Sequence, residues 1–172
     1  MAYTQQDEKW MRLALEQAQA ALSKGEFPVG CVITDGEEVV ASGSRIASRG
    51  GSFNELDHAE IVALRDLSEK RIDRPEKGNL CIYSTLEPCL MCFGAILIAG
   101  IRRIVYAFED AMGGGTACGL ETTGPLYRQP EPRIAGGVLR EDSLALMRRF
   151  FSDPDNRYLK DTLFERYTLG CS

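Results

Sequence analysis

Only one histidine, His58, occurs in the 172 residues. A structural zinc site, closed by four protein ligands, therefore has no second imidazole to draw on. Long apolar runs are also missing, and nothing approaches the ~20 residues of a membrane span. Met1 to Lys9 is polar, without the basic-then-apolar pattern of a secretory signal, so a cytoplasmic protein with no membrane partner is expected. With no signal, the six cysteines do not read as a disulfide framework. A basic excess is lacking as well. The formal net charge is −5, and residues 102–172 carry ten Lys/Arg against ten Asp/Glu, so the acidic excess lies in residues 1–101. That balance weighs against a nucleic-acid face, a local strip of Arg102, Arg103, Arg148 and Arg149 excepted.

The remaining composition is that of an ordinary globular protein, 44% hydrophobic and 26% charged. The length suits one domain over residues 1–172, with its core at about 8–151 and a C-terminal extension at 152–172. Trp10, Leu13, Ala14, Ala18 and Ala21 recur at helical spacing and predict a helix over 8–24, stopped by Gly25. Phe27 to Ser42, turning at Asp35-Gly36, reads as a β-hairpin. Residues 44–56 read as a loop, and Asp57 as the N-cap of a helix over 58–70. A strand at Asn79–Ser84, a helix from Pro88 to Ala99 and a strand at Arg103–Phe108 imply a right-handed parallel crossover. A short strand near Arg133–Gly137, a helix at Glu141–Phe151 and an amphipathic helix over 157–168 complete the prediction. The fold class is α/β, a hairpin extended by parallel strands with helices on both faces. Cys31 and Cys81 fall in apolar runs and read as buried small hydrophobes.

Chemistry concentrates at two places. Leu86 to Cys92 reads Leu-Glu-Pro-Cys-Leu-Met-Cys, and His58 stands upstream in Asp-His-Ala-Glu. If a helix opens at Pro88, Cys89 and Cys92 share one side of its first turn, where the helix dipole favours thiolate. His58 and Glu60 would both stand at the opening of the preceding helix. Two thiols and one imidazole are the three ligands of a catalytic zinc, with a fourth position left for water. Other readings stand beside this one. A thioredoxin-like redox pair would leave His58 and Glu60 idle, and a structural zinc module would show a fourth protein ligand. The glycines Gly113-Gly114-Gly115 lack the Lys-Ser/Thr of a phosphate loop and read as a tight turn.

His-x-Glu followed by Pro-Cys-x-x-Cys resembles the zinc-dependent cytidine/deoxycytidylate deaminase superfamily. Phe27-Pro-Val-Gly30, His58 to Arg65, Tyr83 to Cys92, Gly94-Ala95-Ile96 and Phe150-Phe151 are most similar to its bacterial tRNA adenosine deaminase branch. The resemblance implies a three-layer α/β/α fold with a mixed five-stranded sheet, and a Zn²⁺ held by His58, Cys89 and Cys92. It gives Glu60 the proton transfers of a hydrolytic deamination that releases ammonia. The implied substrate is an amino-nucleobase, with tRNA wobble adenosine leading. A free base or nucleoside (guanine, cytosine, cytidine or a modified purine) is the alternative, and a homodimer is the implied assembly. Phe27 and Val29 match base-pocket positions, though a core role at the hairpin start fits them equally. Glu87 reads as a turn residue shaping the metal loop or a substrate neighbour. Asp110 matches a position near the sugar, and Phe150 and Phe151 match an aromatic pair of which one stacks near substrate, though two adjacent aromatics more often divide between core and surface. Arg45 or Ser44 stands where the branch has Asn, Asp57 replaces a small residue, and the tail is not basic. All three departures concern substrate recognition.

Overall fold

The computed structural model describes residues 3–49, 54–70, 80–128 and 131–171. The middle of the expected 44–56 loop and the Gly78-Asn79 strand boundary lie outside them. The elements, in chain order, are α1 (Gln5–Ser23), β1 (Gly30–Asp35), β2 (Glu38–Ser44), α2 (Ala59–Glu69), β3 (Leu80–Leu86), α3 (Leu90–Ile98), β4 (Arg103–Phe108), α4 (Pro125–Arg128), β5 (Arg133–Ala135), α5 (Arg140–Phe151) and α6 (Leu163–Gly170).

Sheet order is β2-β1-β3-β4-β5. The first two pairings are antiparallel, and β3/β4 and β4/β5 are parallel. This is the mixed sheet expected. Alternation of side chains along the central strands divides the core. Val32, Tyr83, Val105 and Ala107 meet Trp10, Met11 and Ala14 of α1, and α5 lies beside α1. Cys31, Ile33, Ile82 and Ile104 belong to the larger cluster with Ala59 and Ala63 of α2 and Phe93 and Ile96 of α3.

Helix α1 starts three residues before the expected position 8, because Thr4 and Asp7 form a reciprocal capping box. Asp7 also accepts from Tyr83 Oη at 3.1 Å and Arg103 Nη2 at 2.9 Å, which ties the helix start to β3 and β4. The expected 157–168 helix is corrected: it begins only at Leu163, behind the N-cap Thr162. Tyr158 and Leu159 precede it, and Leu159 has the left-handed backbone (φ 54) that ends any helical run.

Packing of α2 on β2 fixes the position of His58. A Cβ on Gly43 would lie 2.3 Å from Ala59 O and 2.5 Å from Ala63 N, both backbone atoms that cannot swing aside. Gly43→Ala is therefore expected to lift α2 from the sheet, costing about 1–3 kcal/mol as overpacking does. Thermal melting and zinc stoichiometry on the same preparation measure the effect. A variant with the parent's melting point and metal content would show that α2 tolerates displacement.

The C-terminal segment is held at the end of β4. Glu109 takes a two-pronged contact from Arg140, with Nε to Oε2 at 2.9 Å, and a hydrogen bond from Tyr167 Oη. These bonds to the carboxylate hold Glu109 down at about 2 against burial, which raises it. A lowered carboxylate stabilises the fold fully above its unfolded value, near 4.5, and loses that contribution as pH falls through about 2. The melting advantage of the parent over Glu109→Gln is thus expected to shrink between those two pH values. An advantage constant with pH would detach the ion pair from stability.

Candidate active site

The two helix openings that the sequence singles out face each other, each displaced by one or two residues from expectation. Asp57 is not the N-cap of α2. His58 takes that place (φ −65, ψ 156), and Asp57 instead accepts from Asn54 Nδ2 and pairs with Arg65. Nor does Pro88 begin α3. Cys89 is its N-cap and Leu90 its first helical residue. Neither cap side chain bonds its own helix amides, so both are available to turn toward each other. The expected consequence survives: Cys89 and Cys92 share a side at i and i+3.

His58 Nδ1 lies 3.6 Å from Cys89 Sγ and 3.5 Å from Cys92 Sγ. The three donor atoms all fall within 4.8 Å of one another. A tetrahedron with Zn–S of ~2.3 Å and Zn–N of ~2.0–2.1 Å has an S···N edge of ~3.6 Å. The donor set thus fits zinc in both chemistry and spacing. No other group of three His, Cys, Asp or Glu ligands is found among the described residues. Cys89 is held far below the usual thiol range by the hydrogen bond from Cys92, with His58 adding to it against burial. His58 is raised, chiefly by its bond to Cys89. Such proton sharing marks a cluster whose proton a cation can replace.

Glu60 is 3% exposed, with Oε2 at 3.6 Å from Cys92 Sγ and Oε1 accepting from Ser84 Oγ at 3.0 Å. Burial raises its proton affinity. It lines one cavity with His58 and Cys89. Phe27, Val29, Leu86 and Phe164 supply the apolar wall of that cavity, and Arg45, Glu55, Glu87, Asp110 and Tyr158 the polar one. The arrangement sets three metal donors beside a buried carboxyl, opening on a space with apolar sides.

Glu87 acts as a brace. It is 9% exposed, accepts from Asp110 N at 3.2 Å and Thr116 N at 3.3 Å, and bonds the Thr116 hydroxyl. The glycine loop is thereby pressed onto the metal helix. Gly115 N donates to Pro88 O at 2.9 Å, and a Cβ on Gly115 would sit 2.5 Å from Leu90 N. Close approach, not phosphate binding, accounts for these glycines. Asp110 accepts from Met112 N and Gly113 N at the cavity edge, and burial raises its carboxyl.

Phe150 and Phe151, expected near substrate, do not line this cavity. Both are buried behind Phe27, ring centroids 5.3 and 6.1 Å from it, because α5 turns its apolar face to the core. Tyr158, Glu55, Met112 and Phe164 reach the cavity unforeseen. In sequence Tyr158 shows only an amphipathic stripe, which gives no hint of the cavity.

The family pattern described as the cytidine and deoxycytidylate deaminase zinc-binding region matches residues 4–108. The tRNA-specific adenosine deaminase of Rickettsia bellii is 36% identical over 141 residues, 82% of this chain and 97% of that protein. That of Haemophilus influenzae is 35% identical over 146 residues, 84% and 83% of the two chains. A solved structure from a study of A-to-I editing by tRNA:A34 deaminases at the wobble position superposes with a TM-score of 0.64 at 31% identity, covering 80% of this chain and 98% of that one. The guanine deaminase of Nitrosomonas europaea superposes with a TM-score of 0.65 at 22% identity and 83% coverage of both chains, a likeness of fold alone.

Proposed function

Because this chain belongs to the cytidine and deoxycytidylate deaminase zinc-binding family, we propose that it hydrolyses the exocyclic amine of adenosine at the tRNA wobble position, giving inosine and ammonia. The observation that carries the reading is the meeting of His58, Cys89 and Cys92 beside the buried Glu60, with His58, Cys89 and Glu60 all lining one cavity. It is supported by relatives of that activity at 35–36% identity over most of the chain.

His58, Cys89 and Cys92 are the zinc ligands in this proposal, and bound zinc supplies a water acidic enough to attack at neutral pH. The chain's own residues do the rest. Glu60, held by Ser84 and raised by burial, is placed to take the water's proton and return it to the ring nitrogen. It then takes the proton left on the added oxygen and delivers it to the departing amine, so that water and substrate leave as inosine and ammonia. Phe27, Val29, Leu86 and Phe164 exclude solvent around the ring. Asp110 and Glu87 keep their proposed place at the cavity edge, the second through the loop it braces. Phe150 and Phe151 act only through Phe27.

A homodimer and a cytoplasmic location belong to the same proposal. Leu90, Met91 and Ile98 leave part of α3 apolar and exposed, which supports a second copy there. No helix among the described residues is long and apolar enough to cross a membrane. A free base or nucleoside is the second reading, favoured by the net charge of −5 and by Arg45 in the cavity wall. The deciding experiment sets tRNA anticodon stem-loops beside free bases and nucleosides and follows ammonia release. Release from the stem-loops is the expected result. Activity on free guanine or cytosine with none on tRNA would overturn the substrate.

A further inference from the structure

Arg45 is 2% exposed and lines the same cavity as His58 and Glu60. Its Nη2 donates to Tyr158 Oη at 3.0 Å and to Glu55 Oε2 at 3.3 Å, and Tyr158 Oη donates in turn to Glu55 Oε2 at 3.0 Å. The guanidinium also lies over the Tyr158 ring, 5.4 Å from its centroid. Two segments distant from each other in sequence thus hold one nitrogen of this group. The other two, Nε and Nη1, are buried and meet no acceptor among the described residues.

A buried arginine kept for architecture has its donors met by carbonyls or carboxylates, since each unmet donor carries its full desolvation penalty. The partner carboxylate does not offset the charge fully either. The Glu55 side chain is 60% exposed, where solvent weakens its field, while Arg45 is enclosed. Arginine is always charged and offers donors only. An amide at this point would present a donor and an acceptor together. The cavity therefore has a wall that rewards hydrogen-bond acceptors and penalises donors.

We propose that Arg45 is the specificity-determining residue of the cavity, reading an acceptor on the edge of the bound nucleobase, with Tyr158 and Glu55 as its positioning residues. The proposal rests on the reading of this cavity as a nucleobase deaminase site. It assigns the segment before α6, outside the matched family region of residues 4–108, a part in substrate choice.

The test uses zinc-loaded full-length protein, parent, Arg45→Gln and Tyr158→Phe, with metal content and melting point recorded for each. Stem-loops carry adenosine or its 3- or 7-deaza analogue at the reacting position, each analogue lacking one ring acceptor, with N1 kept because the reaction protonates it. In the parent, losing the acceptor that meets Arg45 is expected to lower kcat/KM by about 10- to 100-fold. In Arg45→Gln that one ratio should collapse toward about one while the other holds, the coupling expected of two groups in contact. Tyr158→Phe, which keeps the ring and removes the hydroxyl, should lower the same ratio by a smaller factor. A merely structural role would lower all substrates together. Ratios unchanged in Arg45→Gln, or a uniform fall, would overturn the proposal. If Arg45→Gln does not fold, Tyr158→Phe decides: ratios equal to the parent's would overturn it. Should the parent deaminate free guanine and no stem-loop, the wobble reading fails alone. Arg45 is then judged on guanine against 7-deazaguanine by the same coupling.

Discussion

Glu60→Ala is expected to bind zinc as the parent does and to lose about 10²–10⁴-fold in turnover, the range that a positioned acid–base group contributes. The carboxylate stands outside the three-ligand set, 3.6 Å from Cys92 Sγ, so its removal takes no donor from the metal. It does remove the buried group proposed to carry protons between water, ring and leaving amine. Glu60→Gln separates charge from shape: it retains the hydrogen bond to Ser84 yet cannot accept a proton, and its turnover should fall as far as that of the alanine variant. Metal analysis beside ammonia release checks both. An alanine variant with most of its turnover intact would remove Glu60 from the chemistry.

Cys92→Ser is expected to fail in the opposite order, losing metal first and activity with it. Cys92 is fully buried in the first turn of α3, and apart from Cys89 no cysteine among the described residues belongs to the ligand group. Serine is too weak a ligand to replace a thiolate at a site that prefers sulfur. Dialysis against a chelator that leaves the parent at one zinc per chain should strip this variant, and added zinc should not restore turnover. Retention of zinc in Cys92→Ser would force a different ligand set. Together the two variants separate the metal from the proton carrier, because only one of them changes the metal content.

The expected hairpin extended by parallel strands and the pairing of the two helix openings agree with the structure because both rest on short-range rules. An Asp-Gly turn closes a hairpin, a strand–helix–strand run crosses over right-handed, and residues at i and i+3 share a helix face. The shifts at Asp57 and Pro88 come from the same rules applied one step too literally. Asp57 is a good cap by type, but Asn54 and Arg65 already engage it, and His58 takes the extended backbone of the cap position. For Phe150 and Phe151 the resemblance implies that one stacks near substrate, while adjacency favours a division between core and surface. The apolar face of α5, packed against Phe27 and Phe164, draws both into the core.

By itself the sequence determined the chemistry of this protein: three metal donors and one carboxylate at two helix starts. Those positions are set by a few neighbouring dihedrals and by the dipole at each helix end. Only the tertiary structure decided what surrounds them. Arg45 and Tyr158 are 113 positions apart and meet because α6 packs on α5 while the aromatic side chains of Phe27, Phe164 and Tyr158 close against one another. Contacts of that kind depend on the burial of a whole surface at once, and no local spacing encodes them.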